Sequence, residues 1–202
     1  MKNLIFKLNN KEKQDFEIIW MGQCDLFYKG ISKFLMDKYW QFFLLNDGSI
    51  TKQLQIISKS KIHVMNLNEL PFKLTPDFNK HLKKYISEPL IERKIYLYTK
   101  QNEPLMYAIS WWSTKNINSI FLNPSEPIWS NLAQLKIEFY RELKKLLLIN
   151  SHELELKFQQ KGPFWGRYYL IWYQNKPLTI ILEIFSPKIN TLINFNIRNI
   201  KF

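Results

Sequence analysis

The sequence is poor in several features, and each absence narrows what the protein can be. It has one cysteine, Cys24, so no disulfide can form within the chain, and we expect a reducing compartment. No apolar run approaches the roughly 18 residues that a helix needs to cross a bilayer. The three histidines, His63, His81 and His152, are scattered without the spacing of metal ligands. These absences exclude a disulfide scaffold and a helical membrane protein, and they give no basis for predicting a metal centre.

Acidic residues are also scarce relative to basic ones. Lys+Arg 29 against Asp+Glu 17 gives a net charge of +12, and all but four of the basic residues are lysines. Alanine occurs only at positions 108 and 133, whereas Asn, Ile and Phe are abundant, which is the bias that an AT-rich gene produces. We therefore interpret the charge as a solvated surface rather than a nucleic-acid-binding face, although such a field also attracts anionic substrates. Likewise, we interpret Trp111-Trp112 and Tyr168-Tyr169 as core and sheet residues rather than a base-stacking platform.

Apolar periodicity predicts helices in the first half and the middle of the chain. Ile31–Leu45 has apolar residues three and four apart, and the Asn-Asp-Gly-Ser turn at 46–49 ends it. Thr51–Ile57 is predicted as a short helix that leaves this turn, and Pro71–Tyr85 as a connection with helical character. Trp129 to about Ile149 is predicted as one long amphipathic helix that packs on a sheet.

Two other segments repeat one design, which is a strand, a tight Asn-X-Pro-Leu turn and a second strand. They run from Arg93 to Trp112 and from Trp165 to Pro187, and both are rich in β-branched and aromatic residues. Lys61–Leu67 and Glu153–Gln159 alternate apolar and polar residues, which predicts further strands. Together these patterns predict a single α+β domain, residues 1–202, with one six-stranded antiparallel sheet and helices on one side.

Each hairpin carries one ionisable residue in an otherwise apolar arm, Arg93 in the first and Glu183 in the second. A cation and a carboxylate set in one sheet could grip the two ends of a small anion, and a glutamate there can act as a general acid or base. Both residues also fit ordinary strand positions that face solvent. Arg167 follows a glycine that lets a backbone or a ligand approach closely, or it is a surface arginine after a turn. Amides at the start of the 51–57 helix could hold a carboxylate.

Taken together, five sequence blocks resemble the chorismate lyase family (chorismate pyruvate-lyase, 4-hydroxybenzoate synthase). The resemblance covers about residues 40–187. In chain order the blocks are Leu44–Lys52, Arg93–Leu97 with Asn102–Leu105, Glu126–Ile128, Phe164–Arg167, and Lys176–Leu178 with Glu183–Pro187. The AT-biased composition makes the chain look similar to the plastid-encoded branch of that family.

The resemblance implies a six-stranded antiparallel sheet with a buried site under helical flaps. It implies that Arg93 binds the ring carboxylate of chorismate, helped by backbone amides near Ile50 and Ile128, while Glu183 faces the oxygen-bearing end of the ring. Arg167 is counted with the substrate-binding residues. The implied reaction removes the enolpyruvyl group as pyruvate and leaves 4-hydroxybenzoate for quinone synthesis, with no metal or organic cofactor.

The chain departs from the family pattern at two places. Position 109 is Ile where the bacterial enzymes carry a second arginine. Five residues separate Pro177 from Glu183 where the pattern has four. An extra residue in a strand reverses the facing of the side chains beyond it, unless a bulge absorbs it.

Two other functions remain open from the sequence. The effector-binding domains of GntR-type transcription regulators share the implied fold and bind small molecules without chemistry, but the roughly 45 residues before the 46–49 turn are short for the winged helix of such regulators. The alternative that the chain binds nucleic acid is supported only by its charge and its aromatic content. We therefore expect chorismate as the partner, with no nucleic acid and no membrane insertion. We also expect a monomer or small homo-oligomer in the plastid (chloroplast) stroma, or in the cytoplasm if the chain is bacterial.

Overall fold

A computed structural model describes residues 16–29, 36–72, 85–86, 89–114, 117, 126–136 and 138–194. In this part of the chain there are seven strands and six helices. The strands are β1 Glu17–Gln23, β2 His63–Phe72, β3 Leu90–Tyr98, β4 Pro104–Ser113, β5 Tyr140–Asn150, β6 Phe164–Tyr173 and β7 Lys176–Phe185. The helices are α1 Cys24–Tyr28, α2 Lys38–Leu45, α3 Ile50–Ser58, α4 Ile128–Gln134, α5 His152–Phe158 and α6 Lys188–Asn194.

All seven strands form one antiparallel sheet in the order β1-β5-β6-β7-β4-β3-β2. The two predicted hairpins are confirmed as β3–β4 and β6–β7, and β4 pairs with β7, so the hairpins meet at the centre of the sheet. The α+β antiparallel architecture is therefore confirmed, but the prediction of six strands is wrong. Two strands are missing from that prediction, the edge strand β1 and its neighbour β5, whereas the strand predicted at 153–159 is a helix.

The sheet has two apolar faces, and helices cover both. We call the face that carries Leu97, Ala108 and Phe185 the front face; buried residues of α1, α2, α3 and α6 pack there, and Leu132 of α4 packs beside them. The opposite, back face carries Tyr96, Tyr107 and Leu182 and packs against Leu154 and Phe158 of α5. The prediction of helices on one side is therefore wrong for α5.

The predicted long helix from Trp129 to Ile149 is wrong, because the structure ends a short helix at Gln134 and continues as strand β5. β5 lies inside the sheet, between β1 and β6, and buries Leu146 toward the front and Leu147 toward the back. A strand buried on both faces has no polar alternation, so its sequence does not differ from that of a buried helix. A bulge between Leu143 and Lys145 shifts the period further.

The predicted strand at Glu153–Gln159 is also wrong, because this segment forms α5. Ser151 caps the helix by accepting a hydrogen bond from the amide of Leu154. Glu153 and Glu155 lie in its first turn and Lys157 in its last, the charge order that the helix dipole favours. Leucine or phenylalanine at 154, 156 and 158 imitates strand alternation, but only Leu154 and Phe158, four residues apart, are buried.

The other local predictions hold where they can be compared. The predicted helix at Thr51–Ile57 lies within α3, and the predicted helix at 31–45 includes α2 but also residues 31–35, which lie outside the described residues. The predicted strand at 61–67 overlaps β2, whereas most of the 71–85 connection lies outside the described residues. Among the helices of the described residues, none has both the length and the apolar character needed to span a membrane.

Leu154 and Leu156 provide a matched test of this architecture. Leu154 is fully buried and Leu156 is 66% exposed. We expect Leu154→Ala to lower the free energy of unfolding by about 2–5 kcal/mol, and Leu156→Ala to change it by less than about 0.5 kcal/mol. Urea denaturation followed by circular dichroism measures both. In a strand the two side chains would share one face, so equal losses in the two variants would contradict the helix.

Candidate active site

A cavity lies on the front face, between the centre of the sheet and the amino ends of α3 and α4. Its floor is formed by side chains of five adjacent strands, β3 to β7, including Ser110, Tyr169 and Glu183. Its roof includes Ile50 of α3 with Ile128 and Trp129 of α4. Three residues singled out in the sequence, Ile50, Ile128 and Glu183, are therefore brought together around one cavity.

The roof is positioned by a tight turn between α2 and α3. The side chain of Asn46 accepts a hydrogen bond from the amide of Gly48 at 2.6 Å, which closes an Asx turn. Ser49 then caps α3 by accepting from the amide of Lys52. The Nζ of Lys52 lies 5.2 Å from the centroid of the Trp129 ring, so α3 and α4 meet at this point. The turn predicted from the sequence thus places the first residues of α3 at the cavity.

Glu183 is held at the cavity floor by two neighbours on β6. Its Oε2 accepts from Arg167 Nε at 2.6 Å and its Oε1 accepts from the Tyr169 hydroxyl at 2.8 Å. Arg167 has no exposed side-chain surface, and Glu183 is 3% exposed. The sequence left open whether Glu183 and Arg167 face solvent, and the structure buries both of them as an ion pair. Arg167 contacts Glu183 rather than lining the cavity itself.

This pair depends on two backbone features of β6 and β7. Pro177 pairs with Trp172 and Thr179 pairs with Ile171, so β7 has a bulge at Leu178. The bulge absorbs the extra residue between Pro177 and Glu183, and Glu183 lies on the front face. Gly166 lets β7 pass closely, because a Cβ there would lie 2.8 Å from the carbonyl oxygen of Glu183. The glycine therefore serves strand packing rather than a ligand.

Burial and the Glu183 carboxylate together determine the protonation of Arg167 and Tyr169. Burial alone would lower the pKa of Arg167, but the Glu183 carboxylate and Tyr169 more than offset it, so its pKa lies above the usual value. Burial, with the nearby Glu183 carboxylate, raises the pKa of Tyr169. Arg167 therefore stays a cation and Tyr169 stays a phenol that donates its hydrogen to Glu183.

Arg93 is buried on the same face as Glu183 but does not line the cavity. It pairs in register with Ser110, which does line it, and its Nε lies 3.4 Å from Glu69 Oε1 on β2. It lies two strands and two residues from Glu183, which is about 12 Å between Cα atoms at standard sheet spacings. Burial lowers the pKa of Arg93 to about 10, partly offset by Glu69, so the guanidinium is charged at neutral pH.

Arg141 is a cavity residue that the sequence reasoning missed. It is 9% exposed, lies on β5 and lines the cavity together with Glu183. Its Nη1 donates to the carbonyl oxygens of Asp47 and Gly48, in the turn before α3. Its guanidinium carbon lies 4.9 Å from the centroid of the Tyr169 ring. Sequence reasoning missed it because residues 129–149 were predicted as a helix. A helix prediction does not show which face of the sheet the side chain at position 141 lies on.

The departure at position 109 also has a structural outcome. Ile109 is fully buried in the cluster of the back face, packed with Leu182 and Leu154. A side chain at this position therefore points away from the cavity. Position 109 therefore supplies no cation to the cavity of this chain.

With this geometry in place, comparison with known proteins identifies the family. Residues 44–193 match the family described as chorismate pyruvate-lyase Rv2949c-like, and this span contains all the candidate site residues. The chain belongs to this family.

Relatives with similar sequences come from algae. "Uncharacterized protein ycf21" of Cyanophora paradoxa is 61% identical over 177 residues, which are 88% of this chain and 92% of that protein. The protein of the same name from Porphyra purpurea is 36% identical over 148 residues, which are 73% of this chain and 80% of that protein. These relatives extend the family resemblance over most of the chain.

Among solved structures, the fold is similar to that of the effector domain of PhnF from Mycobacterium smegmatis. The TM-score is 0.55 at 8% sequence identity, over 72% of this chain and 92% of that chain. At this identity the likeness shows a common fold and nothing further. The chain thus combines membership of a chorismate pyruvate-lyase family with a fold that regulator domains also use.

Tyr169 and Tyr168 provide a matched test of the Glu183 environment. Tyr169→Phe removes the hydroxyl that donates to the buried Glu183 carboxylate, and we expect a loss of about 1.5–3 kcal/mol in the free energy of unfolding. The hydroxyl of Tyr168 makes no hydrogen bond within the described part of the chain, so Tyr168→Phe should cost less than about 0.5 kcal/mol. Urea titrations of both variants decide the point, and a Tyr169→Phe variant as stable as wild type would argue against the network.

Proposed function

We propose that the chain is a chorismate pyruvate-lyase that converts chorismate to 4-hydroxybenzoate and pyruvate. The observation that carries the proposal is the buried Glu183 carboxylate at the floor of a cavity whose roof is the amino ends of α3 and α4. Membership of the family supports the reaction class. Its algal relatives and AT-biased composition support a plastid location, where the product would supply quinone synthesis.

The chemistry needs little more than orientation and proton transfer. The bond between a ring carbon and the enolpyruvyl oxygen breaks, and the adjacent carbon, which bears the hydroxyl, loses its hydrogen. The ring becomes aromatic as 4-hydroxybenzoate, and the enolpyruvate takes up a proton to become pyruvate. Because aromatisation makes the reaction downhill, holding the substrate in the reactive geometry is the main task of the protein.

Glu183 is proposed to act at the hydroxyl-bearing end of the ring. A carboxylate has about four acceptor sites, and Arg167 and Tyr169 occupy one on each oxygen. The remaining sites can accept the substrate hydroxyl and assist transfer of the proton from the neighbouring carbon. Arg167 supports this role by fixing the carboxylate, so we assign it as a positioning residue rather than one that touches the ring.

Arg93 is proposed to anchor the ring carboxylate at the other end, helped by backbone amides near Ile50 and Ile128. Its charge, its burial and its position on the cavity's face of the sheet, beside Ser110, support this assignment. Arg93 also forms an ion pair with Glu69. That pair also orients the guanidinium before the substrate arrives.

The reaction is tested by mixing purified protein with chorismate. Formation of 4-hydroxybenzoate is followed by chromatography, and pyruvate by a lactate dehydrogenase couple. We expect Glu183→Gln to lower kcat/KM by roughly 10²- to 10⁴-fold, because it removes the proton acceptor at similar volume.

Glu92 supplies the matched control for Glu183. It is also a buried strand glutamate, it accepts from Trp111 Nε1 at 2.9 Å, and it lies 3.3 Å from Lys94 Nζ. It faces the back of the sheet, away from the cavity. Glu92→Gln should therefore keep turnover within a few-fold of wild type. Equal loss of activity in the two variants would remove Glu183 from the mechanism, and no conversion by the wild-type protein would reject the function itself.

Arg93→Lys tests the carboxylate anchor. Lysine keeps the charge but not the two parallel N–H donors that match a carboxylate. Imperfect pairing in a desolvated site costs roughly 2–5 kcal/mol, on the order of 30- to 4,000-fold in kcat/KM. Glu69→Gln removes one ion-pair partner of Arg93 and is the control. If both variants lose stability equally and both keep turnover, Arg93 serves only the ion pair.

A second candidate function is a non-catalytic small-molecule-binding domain. The fold likeness to the PhnF effector domain favours it, because that domain has the same architecture. The same experiment separates the two candidates. Chorismate that raises the melting temperature but is recovered unchanged indicates a binding module, whereas conversion to 4-hydroxybenzoate indicates the lyase.

A further inference from the structure

Among the described residues, the buried charged groups around the Tyr169 ring include one more cation than anions. The charged side chains clustered around the Tyr169 ring are the guanidinium groups of Arg141 and Arg167 and the carboxylate of Glu183. Arg167 is paired with Glu183, whereas Arg141 makes no ion pair within the described residues. Two cations and one anion leave a net charge of +1 in a buried setting, where an uncompensated charge is costly.

The hydrogen bonds of Arg141 leave one edge of its guanidinium open. Its two hydrogen bonds to described residues both start from Nη1 and end on the carbonyl oxygens of Asp47 and Gly48. The buried Nε has no hydrogen-bond partner in the described part of the chain, and no bond from Nη2 is present there. Nε and Nη2 form the edge with two parallel N–H donors, which is the edge that matches a carboxylate.

Its two backbone bonds also fix Arg141 in place before a ligand binds. They join β5 to the turn that starts α3, and the Tyr169 ring lies against the guanidinium. A side chain held in this way loses little conformational freedom when it binds an anion. The cavity lining therefore includes a buried, pre-oriented cation whose pairing edge has no partner among the described residues, together with the carboxylate of Glu183.

We propose that Arg141 binds the second carboxylate of a dianionic ligand, the one on the group attached at the oxygen-bearing end of the ring. In chorismate this is the enolpyruvyl carboxylate. The inference rests on the proposed function for the identity of the ligand, and it assigns Arg141 a separate role from Arg93. Arg141 would then hold the leaving group, while Glu183 acts at the neighbouring hydroxyl.

The test compares two stable ligands that differ in this one carboxylate. 3-(Carboxymethoxy)benzoate carries a second carboxylate on the ring position that bears the enolpyruvyl ether in chorismate, and 3-methoxybenzoate carries only the ring carboxylate. Isothermal titration calorimetry gives Kd for each ligand, and neither can undergo the lyase reaction. We expect the wild-type protein to bind the dianion at least about 30-fold more tightly, the effect of one well-paired buried charge.

Arg141→Met should remove that preference, weakening the binding of the dianion at least about ten-fold more than the binding of 3-methoxybenzoate. Lys144→Met is the matched control. Lys144 is a cation on the same strand as Arg141, but it does not line the cavity. It should keep the preference for the dianion. If Arg141→Met does not fold, Arg141→Lys takes its place, and the preference should fall by roughly ten-fold or more because lysine lacks the paired donors.

The outcomes separate this inference from the lyase assignment. Equal weakening of both ligands by Arg141→Met would overturn it, because that result indicates a role in shaping the cavity. A wild-type protein that does not prefer the dianion, or binds neither ligand, would also overturn it. If the preference depends on Arg141 but chorismate is not converted, the dianion site stands and the lyase function fails.

Discussion

The buried ion pair between Arg167 and Glu183 is the interaction on which the site depends. Arg167 donates to the Glu183 carboxylate through Nε. Through Nη1 it donates to the carbonyl oxygens of Leu44 and Asn46 at 3.1 and 2.7 Å. One guanidinium therefore joins β6, β7 and the end of α2. Breaking such a pair by removing one partner costs about 3–5 kcal/mol, because it leaves a charge buried without compensation. Here the loss would also release the turn that leads into α3.

Arg141 and Arg167 thus both donate hydrogen bonds to the turn between α2 and α3. Arg167 binds the carbonyl of Asn46, and Arg141 binds those of Asp47 and Gly48. The Leu44 and Asn46 carbonyl groups lie at the C-terminal end of α2, where partial negative charge favours a cation such as Arg167. This turn leads into α3 at Ser49. Hydrogen bonds as well as apolar packing therefore connect the roof of the cavity to its floor. This coupling explains how a roof made of short helices keeps a defined position over a sheet.

Local signals predicted what local chemistry decides, and the failures occurred where tertiary context decides. The hairpins were predictable because their turn residues and β-branched arms lie within about twenty residues of each other. β5 was not, because burial on both faces and a bulge erase its period. Glu183 was found because a charge among apolar residues is conspicuous. Its pairing with Arg167 was not predicted, because the spacing of residues along the chain does not show which side chains of neighbouring strands meet.

The composition itself contained an unused signal for the site. The chain is biased toward lysine, yet Arg93, Arg141 and Arg167 are all 9% exposed or less and all face the front of the sheet. Lysine, a flexible point charge, cannot donate to a carboxylate and two carbonyls from one rigid plane. A bias that exchanges one basic residue for the other is tolerated on a solvated surface but not where a planar fork is needed. In a chain of this composition, the rare arginines therefore mark the positions where geometry, and not only charge, is under constraint.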